Sequence, residues 1–398
     1  MRIGILTFHR SFNYGAFMQC FSLVTRLRRE MPDVSIEVVD YSSKKAMSGY
    51  ERTILNSNPD IAQKLKERNA AFLQCQETLP LSSKSIVTDD IDEICSYLNL
   101  NYNAIIVGSD AVWNWNVRGF PNIYFLKDYV GEKFSYAASA HGLIYQNCDD
   151  DYKRYLNEAF GGFRYIGVRD VTTSELVHFA NPEKEVYHNC DPTMFLNLKD
   201  VPCDKTQLGK KMQNAGIDFS KPLIGLMASD NIGYEIKKHY GDAIQLVALY
   251  VPNKHADVYL YNLTPFEWAH VFSFFKVTLT HYFHGTMLSL VNCVPVIPVE
   301  FASSFSKTNI TKINDLMNRI GLGEWRHTID TTNDNILKRS LRKIHFPYDK
   351  EIWKGVISQI DYFLNNDCSQ LIKEKIYTER KTADSFFDAI KSFVFNNK

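Results

Sequence analysis

The stretch Met1-Arg-Ile-Gly-Ile-Leu6-Thr-Phe-His-Arg-Ser-Phe-Asn-Tyr-Gly-Ala16 decides the fold that we expect for this chain. Its first six residues form a short apolar run, which is typical of a buried parallel strand. The run turns polar at Thr7, which makes it too short for a secretory signal peptide. A helical stretch follows from about Ala16 to Arg29, so the chain opens with the first strand and helix of a βαβ unit.

The same alternation of strands and helices continues along the chain. Further β-rich runs lie at 35–40, 103–107, 134–139, 165–168 and 186–189, and then at 223–227, 244–250, 258–261, 277–280 and 294–299. Strands that alternate with helices predict parallel sheets flanked by helices. We therefore expect an α/β protein with two Rossmann-like domains that face a cleft, where the carboxyl ends of the strands hold the ligand.

The length and a change in composition set the expected domain boundaries. A chain of 398 residues has room for two or three domains of ~150 residues each. The polar stretch that closes at Ser220-Lys-Pro222 is typical of a linker. We expect an N-terminal domain at 1–197, a linker at 198–221, a C-terminal domain at 222–375 and a helical tail at 376–398.

The charge balance and the cysteines exclude several classes of protein. With 45 Lys and Arg against 45 Asp and Glu, the chain lacks the basic excess of a nucleic-acid binder, although one small cationic pocket remains compatible with it. No apolar run approaches the ~20 residues that a membrane-spanning helix needs. The eight cysteines are far apart and form no C-x-x-C pair, which is typical of reduced thiols and predicts a cytoplasmic protein.

Three common catalytic motifs are absent from the sequence. No G-x-G-x-x-G follows the first strand, and no G-x-x-x-x-G-K-[ST] occurs anywhere, which argues against dinucleotide-binding enzymes and nucleoside triphosphatases. No G-x-S-x-G marks a nucleophile elbow of the α/β-hydrolase type.

Five polar clusters stand instead at the ends of predicted strands. They are Asn13-Tyr14-Gly15, Gly108-Ser109-Asp110 with Trp113 beyond it, Ser139 with His141, Arg169-Asp170, and His281 to Thr286. Each has an ordinary structural explanation, as a helix cap, a core tryptophan or an ion pair. The two histidines of the last cluster lack a third ligand at suitable spacing, so we expect no metal. The coincidence of five clusters at strand ends favours a functional site.

The same residues, taken in order, resemble the polysaccharide pyruvyl transferase family. The matching motifs are Ile5-Leu-Thr-Phe-His-Arg-Ser-Phe-Asn-Tyr-Gly-Ala16, Val107-Gly-Ser-Asp-Ala-Val-Trp-Asn114, Tyr136-Ala-Ala-Ser139, Val168-Arg-Asp170, Asp191-Pro-Thr193 and Phe283-His-Gly-Thr286. The resemblance implies two Rossmann-like domains similar to those of GT-B glycosyltransferases. It also implies a transferase that needs no cofactor and moves pyruvate from phosphoenolpyruvate, as a ketal, onto a sugar of a surface polysaccharide or its precursor.

The resemblance assigns a role to each cluster. His284 is the first candidate for catalysis, and Asp110 is a candidate for holding or activating a sugar hydroxyl. The donor side would comprise Arg169, His281, Tyr282, Gly285 and Thr286, and the acceptor side Asn13, Tyr14, Gly15, Trp113, Ser139 and His141. Some family members have an arginine two positions before the motif histidine, where this chain has Tyr282. Because a tyrosine cannot neutralise an anion, either another cation such as Lys307 or His281 replaces that arginine, or the donor site of this chain differs.

Two other functions and one surface contact stay open at this point. The chain could be a nucleotide-sugar-dependent glycosyltransferase of the same architecture, or a carbohydrate-binding relative without catalytic activity. The acceptor could be a sugar, a polysaccharide repeat unit or a lipid-linked glycan. The basic residues Lys338, Arg339, Arg342 and Lys343 have helical spacing. They form either a solvated helix face or a contact with a membrane surface or a lipid-linked acceptor.

Overall fold

In the computed structural model, which describes residues 1–57, 59–115, 119–141, 143–302, 311–330 and 350–397, the chain divides into two compact units. Unit 1 comprises Met1–Leu196 together with Arg380–Lys398, and unit 2 comprises Asn197–Glu379. Lys307 and the basic residues at 338–343 lie outside the described residues.

Unit 1 is built on a parallel sheet. Its strands are β1 (Arg2–Leu6), β2 (Ser35–Val38), β5 (Ala104–Val107), β6 (Glu132–Ala138), β7 (Phe163–Val168) and β8 (Val186–His188), and a separate parallel pair is formed by β3 (Tyr41–Ser42) and β4 (Ile86–Val87). The order across the main sheet is β2-β1-β5-β6-β7-β8. The chain therefore reverses its winding between β1 and β5, and ligands of doubly wound folds bind at such a reversal.

Helices cover the sheet of unit 1. They are α1 (Tyr14–Glu30), α2 (Lys44–Leu55), α3 (Pro59–Gln76), α4 (Ile91–Asn101), α5 (Asp150–Gly161) and α6 (Val171–Ala180). All four residues of β5 are buried, as expected for a central parallel strand with helices on both faces.

Unit 2 has a second parallel sheet with the order β11-β10-β9-β12-β13-β14. The strands are β9 (Leu223–Met227), β10 (Gln245–Leu249), β11 (Val258–Leu260), β12 (Val277–Thr280), β13 (Val296–Ala302) and β14 (His327–Asp330). The helices are α7 (Lys205–Asn214), α8 (Asp230–Tyr240), α9 (Pro265–Val271), α10 (Phe283–Val291), α11 (Lys312–Arg319), α12 (Lys350–Asn365) and α13 (Ser369–Arg380). This strand order is that of a dinucleotide-binding Rossmann fold, with the reversal between β9 and β12.

Two segments of the chain have a structure that differs from the domain boundaries expected above. The stretch 198–221 contains α7, which belongs to unit 2 and buries Leu208 and Met212. Their spacing of four residues is the apolar signal that the polar composition of this stretch concealed. The last helix, α14 (Asp384–Asn396), returns to unit 1, where Phe386 packs against Tyr136 at a ring separation of 4.7 Å.

The predicted architecture is thus present in both units: two Rossmann-like α/β units with parallel sheets and flanking helices. Among the helices that the structure describes, none is long and apolar enough to cross a membrane.

Candidate functional site

The junction between β12 and α10 carries four of the five residues expected on the donor side, whereas the fifth, Arg169, lies in unit 1. α10 starts directly after the strand, and its first turn carries His284. Tyr282 is the residue that precedes the helix, and within the described chain no side chain caps this end. The helix dipole makes such an end a site of positive potential.

Gly285 sets the distance between α10 and the sheet. A Cβ at this position would overlap the side-chain ends of Met227 in β9 and Thr280 in β12, so glycine lets the helix start close to the two strands without displacing them. Thr286 is fully buried one residue later, and its hydroxyl donates to the carbonyl of Tyr282 at 3.3 Å. The predicted donor residues Gly285 and Thr286 therefore shape the helix start.

We expect Gly285→Ala to destabilise unit 2, because the added methyl group would push α10 away from β9 and β12. Overpacking of this kind costs about 1–3 kcal/mol in the free energy of unfolding, which urea denaturation measures. Gly209→Ala in α7 is the matched control, since nothing lies within 4 Å of a Cβ there. The control variant should be neutral or slightly stabilising, and an equal loss in both variants would contradict the packing argument.

His281 is held as a neutral imidazole. Its Nδ1 donates to the carbonyl of Val299 at 2.5 Å, and its Nε2 accepts from the backbone N–H of Ser229 at 3.1 Å. Burial lowers the pKa of His281 below its ordinary value. The side chain therefore ties β12 to β13 and to the start of α8, and it does not supply the cation that the resemblance left open at this position.

The lowered pKa of His281 predicts a pH-dependent stability. Because the unfolded chain takes up a proton on this imidazole first, the free energy of unfolding should fall as the pH drops below about 6.5. Burial also lowers the pKa of His270 and His327. His281→Gln keeps these two, so its stability should decrease less steeply between about pH 7.5 and 5.5 than that of the wild type. Urea denaturation at several pH values measures both slopes, and identical slopes would contradict the assignment.

A lysine that sequence reasoning missed lies near the same reversal point. Asp230 begins α8, and its carboxylate accepts from the backbone N–H of Lys254 at 2.9 Å, while the Lys254 ammonium lies 3.6 Å from its other oxygen. The side chain of Lys254 is 83% exposed. The sequence could have indicated Lys254 by its position in the loop after β10, the strand that pairs with β9. Tyr282 itself is 38% exposed and contacts Tyr250 through its ring.

In unit 1 the structure brings together Asp110, Ser139 and Arg169, which follow three neighbouring strands. The backbone N–H of Ser139 donates to the carbonyl of Asp110 at 2.9 Å, and that of Arg169 donates to Ala138 at 3.1 Å. Asp110 adopts a positive φ of 84°, and its side chain is 20% exposed. A non-glycine residue in this conformation at a strand end is compatible with a functional role for Asp110.

The partners of Arg169 differ from those that the resemblance implies. The guanidinium is 3% exposed, and it donates to Asp191 at 2.7 Å and to Asp110 at 3.5 Å. Asp191 also accepts from Gln19 at 2.6 Å. Two carboxylates therefore already compensate the charge of Arg169. His284 belongs to unit 2, whereas Arg169 belongs to unit 1.

Most of the residues predicted for the acceptor side are buried or form hydrogen bonds with the backbone. Trp113 has no exposed surface, and its indole N–H donates to the carbonyl of Tyr124, so it is a core residue and no platform for a sugar. Tyr14 and Gly15 are buried in α1, and Ser139 is fully buried. Asn13 caps α1 by accepting from Ala16 at 3.1 Å. Only Asn13 and His141 of this set are exposed, and His141 has a positive φ of 52°.

A buried ion cluster lies at the ends of β1 and β2, where the sequence analysis placed no site. The carboxylate of Asp40 accepts from Arg10 Nε and Nη2, each at 2.7 Å, and from His9 Nε2 at 3.0 Å. Arg10 and His9 hold the pKa of Asp40 far below its usual range, against the effect of burial. The sequence could have indicated this cluster, because His9 and Asp40 follow β1 and β2, which pair side by side in a βαβ unit. Among the described residues, no group of three or more His, Cys, Asp or Glu is placed to hold a metal ion.

Several solved structures share this fold at low sequence identity. A glycosyltransferase from Rickettsia africae aligns with a TM-score of 0.55 at 8% identity, covering 98% of this chain and 99% of that one. The Anabaena protein HepE, in complex with UDP, aligns with a TM-score of 0.52 at 8% identity, covering 98% of this chain and 100% of that one. UDP-GlcNAc 2-epimerase from Neisseria meningitidis, bound to UDP-GlcNAc, aligns with a TM-score of 0.51 at 10% identity, with the same coverage of both chains. At such identities the likeness establishes the GT-B fold alone.

The sequence itself gives the family. No curated protein matches the chain significantly. The family described as polysaccharide pyruvyl transferase matches residues 13–303, which include the strand-end clusters of unit 1 and the junction that carries His284. A match over nearly three quarters of the chain, on a GT-B fold, shows that this protein belongs to the polysaccharide pyruvyl transferase family.

Proposed function

We propose that this protein transfers pyruvate from phosphoenolpyruvate onto two hydroxyls of a sugar, as a ketal, in the synthesis of a surface polysaccharide or its precursor. The observation that carries the proposal is the uncapped start of α10, which presents His284 in the Phe-His-Gly-Thr motif of the family. The acceptor is a sugar, a repeat unit or a lipid-linked glycan.

The start of α10 suits an anionic donor. Phosphoenolpyruvate carries a phosphate and a carboxylate, and both are stabilised by free backbone N–H groups at a helix N-terminus. The start of α8 lies at the neighbouring strand end and also lacks a side-chain cap within the described residues. We assign the positive charge that Tyr282 does not provide to Lys254 at this second helix start. Its exposed ammonium can leave Asp230 and pair with the donor.

The reaction needs one proton donor and one proton acceptor. Protonation of the methylene carbon of phosphoenolpyruvate makes the carbon that bears the phosphate electrophilic. A sugar hydroxyl adds to that carbon and loses its proton. The C–O bond to phosphate then breaks, inorganic phosphate leaves, and the second hydroxyl adds with loss of its proton to close the ketal. An imidazole suits these transfers near neutral pH, and we assign them to His284. Asp110 is the candidate for orienting the acceptor hydroxyl.

The second candidate function is transfer of a sugar from a nucleotide sugar. It is favoured by one observation, the fold shared with a glycosyltransferase and with proteins crystallised with UDP and UDP-GlcNAc. A third candidate is carbohydrate binding without catalysis. Each of these two functions predicts ligands that differ from the ligands of a pyruvyl transferase.

The experiment that separates the three is a ligand and turnover test on the full chain. Phosphoenolpyruvate should raise the melting temperature, UDP- and GDP-sugars should not, and phosphate release from phosphoenolpyruvate should depend on an added sugar acceptor. Stabilisation by a nucleotide sugar, with none by phosphoenolpyruvate, would favour the glycosyltransferase. Sugar binding without phosphate release across the acceptor panel would favour the binding protein.

A further inference from the structure

We infer that a short segment near the end of the chain positions Asp110, the candidate for orienting the acceptor hydroxyl. This return segment, residues 380–385, joins α13 to α14 and belongs to unit 1. It contacts the loop 189–194, which follows the edge strand β8. The role of the segment in the reaction rests on the proposed function, whereas its effect on the Asp110 turn does not.

Three hydrogen bonds hold this loop against the return segment. The hydroxyl of Thr382 accepts from the backbone N–H of Cys190 at 2.7 Å, and its carbonyl accepts from the side-chain amide of Asn189 at 2.9 Å. Arg380 donates through Nε to the carbonyl of Met194 at 2.5 Å. Because Asn189 and Cys190 are fully buried, loss of the Thr382 hydroxyl would leave a buried N–H group without this partner, which is costly.

Aromatic packing fixes the same loop from a second side. Tyr136 of β6 donates its hydroxyl to the carbonyl of Cys190 at 3.0 Å. Phe386 of α14 packs against the ring of Tyr136 at 4.7 Å, and both side chains are fully buried. The end of the chain therefore holds Cys190 through its N–H group and, by way of Tyr136, through its carbonyl group.

Asp191, the next residue along the loop, connects this packing to Arg169. One oxygen of its carboxylate accepts from Arg169 at 2.7 Å and from Gln19 at 2.6 Å, and the other accepts from the backbone N–H of Thr193 at 3.0 Å. Arg169 in turn donates to Asp110 at 3.5 Å. A shift of the loop would therefore move the carboxylate that orients the guanidinium, and the guanidinium would move relative to Asp110.

Asp110 is the member of this network that can meet a substrate. Its side chain is 20% exposed, whereas the side chains of Arg169 and Asp191 are 3% and 1% exposed. A displacement of about 1 Å in an orienting group can lower a rate about a hundredfold. Thr382 is therefore a positioning residue, which acts on the acceptor through Asp110.

The test removes one hydroxyl from the return segment of the full chain. Thr382→Val keeps the shape of the side chain but lacks the acceptor for Cys190, and Thr382→Ser restores that acceptor. Phe393→Leu is the matched control, because Phe393 packs α14 against Phe134 at 5.6 Å and its side chain has no hydrogen-bonding group. If Thr382→Val does not fold, Arg380→Met removes a different bond to the same loop.

We expect Thr382→Val to lower kcat/KM for the acceptor about tenfold or more, and to leave KM for phosphoenolpyruvate within about twofold of the wild type. Thr382→Ser and Phe393→Leu should keep kcat/KM within about threefold of the wild type. In an Asp110→Asn background Thr382→Val should cause no further loss, because the hydroxyl acts through Asp110. Equal losses in the two backgrounds, or an equal loss in Phe393→Leu, would overturn the inference.

Hydrogen exchange measured by mass spectrometry tests the same network without any substrate. The N–H groups of Val112 and Ser139 donate to the carbonyl of Asp110 at 2.8 and 2.9 Å, so their exchange rates report the order of this turn. Thr382→Val should raise these rates about tenfold, and Phe393→Leu should not. Unchanged rates in Thr382→Val would overturn the inference. Faster exchange in this variant, with no phosphate release from phosphoenolpyruvate by the wild type, would contradict the proposed function and leave the positioning of Asp110 intact.

Discussion

His284→Ala should lower kcat for acceptor-dependent phosphate release from phosphoenolpyruvate by about 10²- to 10⁴-fold, the range expected for loss of a general acid or base. The reason is its place in the first turn of α10, at a helix N-terminus whose dipole suits the phosphate and carboxylate of the donor. An alanine keeps the helix and its dipole, so the donor should still bind. The expected signature is therefore a large fall in kcat with a smaller change in KM for phosphoenolpyruvate.

The control for this variant is a histidine of the same unit that lies away from the junction. His239 is exposed in the last turn of α8, and His239→Ala should keep wild-type kcat. The activity of the wild type should also change over the pH range in which an imidazole titrates, and the residual activity of His284→Ala should lack this pH dependence. A kcat within about threefold of the wild type would remove His284 from the chemistry and leave it as a donor contact.

The sequence predicted the two parallel sheets because the patterns that indicate their strands and helices are local. Short buried runs such as 103–107 alternate with amphipathic stretches, and that pattern is enough to predict βαβ units. The strand order of unit 2 depends on which strands pair, which is a long-range property. The same limit explains α7, whose two buried residues are visible only when their spacing is considered apart from the polar residues around them.

The sequence predicted where the candidate residues lie along the strands, and it predicted less well whether their side chains are exposed or buried. The strand-end rule places His284, Asp110 and Arg169 correctly at the carboxyl ends of parallel strands, and that is a property of the backbone. Whether a side chain at such an end points to solvent or into the core depends on the packing of other elements. Trp113 is surrounded by Phe125, Phe160 and Phe163, which a single sequence does not reveal.

The pairing of charges was the other property that the sequence left undecided. Asp40 lies 30 residues from Arg10, and Asp191 lies 22 residues from Arg169. Both pairs join the ends of neighbouring strands, so the topology decides them. Once the sheet order is known, Arg169 changes from an expected donor contact into the centre of a buried ion network.

Arg169→Ala should destabilise the protein by about 3–5 kcal/mol, because it leaves the buried carboxylate of Asp191 without its cation. The side chains of Asp191 and Arg169 are 1% and 3% exposed, so solvent screens this ion pair very little. Urea denaturation followed by circular dichroism measures the loss. Arg164→Ala in the same strand is the matched control, since its ion pair with Glu132 is 3.6 Å long and solvent-exposed. We expect a loss of about 1 kcal/mol or less there.

A double variant separates the two roles that Arg169 could have. If Arg169 acts on Asp191, replacing both with Arg169→Met and Asp191→Asn should destabilise the protein by less than the sum of the single variants, because no buried charge is then left unpaired. If Arg169 instead binds the donor, as the resemblance implies, Arg169→Ala should unfold at the same urea concentration as the wild type and raise only KM for phosphoenolpyruvate. The internal hydrogen bonds to Asp191 and Asp110 predict the first result. In that case Arg169 is a structural residue that holds Asp110 at the strand ends of unit 1.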